Sequence, residues 1–92
     1  METFSINKVG ESKTGTLNTT LSNILEKVGP DNATQFDDSS KVKMSWGFTD
    51  GKREAFIWSY KVQANQLENN TEWSVDGDLD MLREIFGQDS VR

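Results

Sequence analysis

Asp76, Asp78 and Asp80 stand at alternate positions, the spacing with which a calcium-binding loop begins. Such a loop needs a glycine at its sixth position to turn and a glutamate at its twelfth to close the oxygen shell. Those positions hold Met81 and Gly87. The three carboxylates fit better at the start of a helix, where unpaired amides and the helix dipole favour negative charge. No metal and no cofactor is expected of them.

Trp58, Tyr60 and Lys61 make a second constellation, two rings and a cation that could stack against a planar ligand such as a nucleotide. Aromatic rings also supply large contact area to a small core, and core or core-edge positions are the simpler expectation for them. Trp73 is different, because Glu72 and Asp76 flank it in an acidic stretch. An aromatic anchor ringed by charges is a common arrangement in protein interfaces. Glu72, Trp73, Asp76, Asp78 and Asp80 are therefore the candidate interface residues, and Trp58, Tyr60 and Lys61 the candidate ligand site.

Catalytic chemistry has little to work with. The chain has no cysteine and no histidine, so thiolate nucleophiles, the commonest general base and the commonest zinc ligand are all missing. The segment from Gly10 to Gly15 holds a lysine and a threonine but lacks the glycine beside the lysine that a phosphate-binding loop requires. The expectation is a protein that is not an enzyme.

The 92 residues allow one domain, 1–92, and the hydrophobic share of 34% allows only a thin core. Charge is distributed unevenly. Through Lys61 acids and bases balance, so the net charge of -5 falls entirely on the residues from Val62 onward. That side suits a partner with a basic surface and disfavours free nucleic acid, whose phosphates need concentrated Lys and Arg. No signal-like or membrane-spanning run occurs, and a cytoplasmic location is expected.

The elements that would position these residues centre on 42–60, which reads as a β-hairpin. Val42, Met44, Trp46 and Phe48 alternate with Lys43, Ser45 and Gly47; after the Thr49-Asp50-Gly51 turn, Phe56, Trp58 and Tyr60 alternate in the same way. A two-residue Asp-Gly turn would put the two aromatic sets on opposite faces. A three-residue loop with Gly51 left-handed pairs Phe48 with Lys52 and gathers the large side chains on one face, which makes it the preferred register. Before the hairpin, Leu17, Leu21, Ile24, Leu25 and Val28 form one helical stripe, capped by Thr16 or Asn18 and stopped by Gly29-Pro30. Residues 1–15 read as a short strand near Thr3–Val9 and a loop, and 30–40 as a polar connection anchored by Phe36. After the hairpin, 62–70 is ambiguous, a third strand fits Thr71–Val75, and a helix starts at Asp78 and stops at Gly87. Residues 88–92 read as a tail. The order predicts an α+β fold, a small antiparallel sheet of three or four strands with two short helices on one face.

Several of these segments together resemble a group of small proteins scattered through bacteriophages and their hosts. They are Leu25-Glu26-Lys27-Val28-Gly29-Pro30, Lys43-Met44-Ser45-Trp46-Gly47-Phe48, Asp50-Gly51, Ile57-Trp58-Ser59-Tyr60-Lys61 and the later Trp73-x-Val75. That group shows a helix ending Phe-Gly-x-Pro, then Trp-x-Phe-x-Asp-Gly, then Ile-Tyr-x-Tyr-Lys. Val28 stands where the group has its aromatic, and Trp58 where it has a tyrosine. The resemblance implies a phage-type origin and carries no activity onto these residues. Together these readings lead to the expectation of a non-enzymatic protein-binding module, a modulator or inhibitor of a host factor. The alternatives are a small-molecule or nucleotide-binding domain, and a structural homodimer joined through strand edges.

Overall fold

In the computed structural model, residues 2–3, 13–32 and 41–92 are described. Val42–Thr49 (β3) and Glu54–Tyr60 (β4) form the expected hairpin. They lie inside an antiparallel sheet that also contains Glu2–Thr3 (β1), Gly15–Asn18 (β2) and Glu72–Gly77 (β5), in the order β1-β3-β4-β5-β2. Four strands carry the sheet and the two-residue β1 borders it. Helices Leu21–Val28 (α1) and Leu79–Phe86 (α2) both bury their apolar sides, Ile24 and Val28, Met81 and Leu82, in one core with Leu17, Trp46, Phe48, Ile57, Trp73 and Val75. The fold is α+β. A 3-10 helix, Ala64–Asn69, fills the ambiguous segment before β5.

The hairpin register differs from the preferred one. Thr49 pairs with Glu54 and Phe48 with Ala55, leaving a four-residue loop. Asp50 builds that loop: its Oδ1 accepts the amides of Lys52 at 2.9 Å and Arg53 at 2.8 Å. Thr49 Oγ1 accepts the amide of Gly51 at 3.0 Å, and Gly51 adopts the left-handed φ of 97°. Trp46 and Phe48 consequently share their face with Ile57 and Ala55 in the main core, while Phe56 and Trp58 form a second buried cluster with Val42. Gathering every large side chain on one face presumes that the other face is wet. Instead β4 is a central strand buried on both sides, from Ala55 to Ser59. Ile57, on the face opposite Phe56 and Trp58, is fully buried.

A bulge between Val42 and Ser45 lets β3 serve both clusters, with Val42 in the second and Met44 packed against the first. The buried Ser59 hydroxyl accepts the amides of Lys43 and Met44, each at 3.1 Å, and so satisfies the donors that the bulge leaves without a ladder partner.

The first helix starts later than its stripe suggests. Leu17 belongs to β2, paired with Trp73 and fully buried. The cap is Thr20, whose Oγ1 accepts the Asn23 amide at 3.2 Å, rather than Thr16 or Asn18. Four residues separate Leu17 from Leu21, so a strand residue and a helix residue imitate one helical face. The second helix matches expectation: Asp78 Oδ1 accepts the Met81 amide at 3.1 Å and Gly87 closes the other end. The C-terminal residues lie along β2. Arg92 and Thr16 exchange backbone hydrogen bonds at 2.8 and 2.9 Å, and Val91 is buried. The expected strand at Thr3–Val9 is described only at Thr3, and the Phe36 anchor lies outside the described residues.

Candidate functional site

Trp73 is 1% exposed. Its ring meets Trp46 edge to face with centroids 5.7 Å apart, and its Nε1 donates to the Thr19 carbonyl at 2.9 Å. Trp46 Nε1 donates to the Gly29 carbonyl at 2.9 Å. The two indoles therefore bond the chain at both ends of α1 from beneath, and Trp73 is a core residue rather than a surface anchor. Its alternation along β5 points it into the main core, while Glu72 and Ser74 take the opposite face of the sheet, where Glu72 is exposed and Ser74 buried.

The acids around Trp73 do not converge. Glu72 pairs with Arg92 at 3.0 Å and Asp80 with Arg83 at 2.9 Å. Asp76 accepts a hydrogen bond from Thr14 Oγ1 at 3.2 Å, and Asp78 is the α2 cap. Among the described residues no group of three or more acidic side chains is placed to hold a metal ion. Each of these carboxylates has a local structural partner.

Trp58 is 6% exposed and lies in the second cluster, so it offers no open ring for stacking. Tyr60 and Lys61 are brought together: Tyr60 is 48% exposed, with Lys61 Nζ 5.3 Å from its ring centroid. Lys61 takes a left-handed φ of 57°, uncommon for a residue with a side chain, and its amide donates to the Lys41 carbonyl at 2.8 Å. The expected three-residue ligand site is thus reduced to a pair.

A different surface stands out. Leu25, 40% exposed, is the other large hydrophobic residue left open among the described residues. With Leu21, Ser22 and Glu68 it lines a solvent-open groove of about 310 Å³ between α1 and the 3-10 helix. The elements that shape the groove are fixed from below. The two tryptophans hold α1, Asn23 Nδ2 donates to Thr19 Oγ1 at 2.7 Å, and Leu67 packs the 3-10 helix onto the core. The chain leaving α1 is held by Asn32, whose side-chain amide exchanges two hydrogen bonds with the Gly47 backbone at 2.8 and 2.9 Å. One signal in the sequence pointed here. The α1 stripe is wide, and Leu25 lies at its edge, about 100° from Ile24, where a single packing contact cannot cover both.

No family model, no curated protein and no solved structure matches the chain. The likeness to small phage-type proteins rests on its short motifs alone.

Proposed function

We propose that this protein is a non-enzymatic protein-binding module that docks a partner through the groove formed by Leu21, Ser22, Leu25 and Glu68. The observation that carries this reading is Leu25: a rigidly mounted leucine with 40% of its surface open, in a groove with an apolar floor. Apolar side chains on preorganised elements are what protein interfaces use as anchors, because little ordering entropy is lost on binding. The groove is small and open, with few converging polar groups, so it suits a side chain on a peptide segment better than an enclosed metabolite. Both outer strands argue against a homodimer joined at its sheet edges. The Ser90–Arg92 segment lines β2, and Glu2–Thr3 and Asn32 bond the outer side of β3. The phage-type resemblance supports a host protein as the partner, with modulation of that protein as the role.

Site-specific photocrosslinking tests this. A photoreactive phenylalanine analogue replacing Leu25, and separately replacing exposed Lys52 in the hairpin loop, is irradiated in host lysate. The Leu25 position is expected to trap a defined protein that the Lys52 position does not. That protein, once purified, should bind the unmodified chain and lose affinity for Leu25→Ser. Equal trapping at both positions, or undiminished binding by Leu25→Ser, would exclude the groove.

A further inference from the structure

The next inference rests on the groove being a docking site and names the chemistry of what docks there. We infer that the occupant is a short protein segment carrying an apolar side chain flanked by Lys or Arg. Leu21 and Leu25 supply the apolar floor. Glu68 borders the groove from the 3-10 helix. Glu26 follows Ser22 by one helical turn, so it stands on the α1 rim beyond Ser22 and Leu25. Both are exposed. Lys27, the nearest base in sequence, falls on the opposite flank of α1 by the same helical spacing.

Among the described residues these two acids lack partners and lie beside the groove; Glu54 and Asp89 also lack partners but stand elsewhere in the fold. Asp50, Glu72, Asp80 and Glu84 each join an ion pair, and Asp76 and Asp78 each accept a hydrogen bond. Among the described residues, the carboxylates of Glu26 and Glu68 join none of these ion pairs and take no hydrogen bond. Two unneutralised carboxylates beside an exposed leucine make an apolar groove with negative walls. That potential draws a cationic segment in and turns away anionic surfaces, including phospholipid membranes and nucleic acid. The division of labour follows from magnitudes. Exposed charge pairs contribute little affinity each and mainly speed encounter, whereas covering Leu25 supplies the apolar gain. The basic partner thus faces the α1 groove, and not the acids of β5 and α2, each of which is engaged in an ion pair or hydrogen bond within the fold.

The test uses labelled amphipathic dodecapeptides and the full-length chain. One peptide combines leucine with lysine, a second leucine with glutamate, and a third serine with lysine. Fluorescence anisotropy is expected to show saturable binding of the Leu/Lys peptide only, weakening with added salt. Leu25→Ser should weaken it by about tenfold or more. Glu26→Lys with Glu68→Lys should abolish the salt dependence along with most of the binding. The control pair Glu54→Lys with Asp89→Lys makes the same change in net charge elsewhere and should leave binding in place. Circular dichroism of each variant establishes that it is folded. Equal loss in the two charge-reversed pairs would overturn the inference, since net charge alone would then be responsible; binding of the Leu/Glu peptide would do so as well. A partner trapped at Leu25 whose binding ignores Glu26→Lys with Glu68→Lys would overturn the basic segment while leaving the module standing. Indifference of every ligand to Leu25→Ser would remove both.

Discussion

The two helices are the same length and lie on the same core, yet they are held by opposite means. Each has eight residues and ends at a glycine with positive φ, 87° at Gly29 and 112° at Gly87. Helix α1 is fixed by neutral bonds: two buried indoles to Thr19 and Gly29 from below, and a threonine cap at the surface. Helix α2 is fixed by charge at the surface: an aspartate cap, the Asp80–Arg83 pair, and Arg53 reaching from the hairpin loop to Glu84. The difference has a functional consequence. Asp78, Asp80 and Glu84 at α2 are occupied in holding the fold, whereas α1 needs none of its charges for anchorage and leaves Glu26 available. Neutral buried bonds are insensitive to salt, and surface ion pairs are screened by it. The two sides of the molecule should therefore respond differently to mutation, salt and acid.

The largest effects belong beneath α1. Trp46→Ala or Trp73→Ala removes a fully buried ring and is expected to cost about 3–5 kcal/mol in urea denaturation. Trp73→Phe keeps most of the ring but leaves the Thr19 carbonyl without its donor, for about 1–3 kcal/mol. Losses no greater than that of Glu84→Gln would break the comparison. Next comes the entrance to α2. Gly77 holds φ at 91°, and a Cβ there would lie 2.5 Å from the Glu54 carbonyl oxygen and 2.9 Å from the Ala55 Cα, both backbone atoms. Gly77→Ala should therefore cost roughly 2–4 kcal/mol, through left-handed strain and forced separation of β4 from β5. Salt should leave that cost unchanged, since no charge is altered.

These sites also mark what the sequence makes legible. Alternation along 42–48 and 56–60 locates the hairpin, and Asp78 and Gly87 bracket α2 to the residue, because period and caps are local signals. Register is not local. Whether Phe56 or Ile57 faces Trp46 depends on how many residues Asp50 encloses, and on whether β4 is covered on one side or both. Nothing in the spacing of the hairpin itself records that second fact. Leu17 shows the same limit, since a strand residue four positions before a helix residue satisfies a helical template. For the site, the sequence pointed to the least-balanced acids and their tryptophan. Partners come from Arg53, Arg83 and Arg92, which pair with Glu84, Asp80 and Glu72, and from the Thr14 hydroxyl, which bonds Asp76; all are placed by folding, so formal charge alone does not show which of these acids are engaged. The open acids beside the groove, Glu26 and Glu68, stand on separate elements far apart in sequence, so no local run of charge joins them.

The two caps sharpen the comparison at smaller scale. Thr20→Ala and Asp78→Ala each remove one accepted amide bond and should each cost about 1 kcal/mol. Molar salt should shrink the Asp78 cost, because part of it is attraction between a carboxylate and the helix dipole, and leave the Thr20 cost in place. Equal salt responses would mean that α2 is not held by charge after all.

Acid gives the gentlest discrimination. The Asp50 carboxyl is lowered from 3.8 to about 2, first by the Arg53 amide, then by the Lys52 amide and the Arg53 guanidinium. Arg53 is itself raised above its ordinary value by Glu84 and then by Asp50, so it stays charged throughout the acid range. Because the folded state holds Asp50 ionised more firmly than the unfolded chain does, its contribution is complete at neutral pH. It declines as pH falls below about 4 and is gone once the carboxyl protonates near 2. Hydrogen exchange followed by NMR from about pH 5 to pH 2 should show the Lys52 and Arg53 amides losing protection first. The Trp46 and Trp73 indole protons should hold out longest, since no titrating group bonds to either. Asp50→Asn should flatten the loop's pH response while leaving the indole protons as they were. An acid transition that releases the indoles and the loop amides together would mean that the two sides open as one unit, and that the contrast between their fastenings does not extend to their stability.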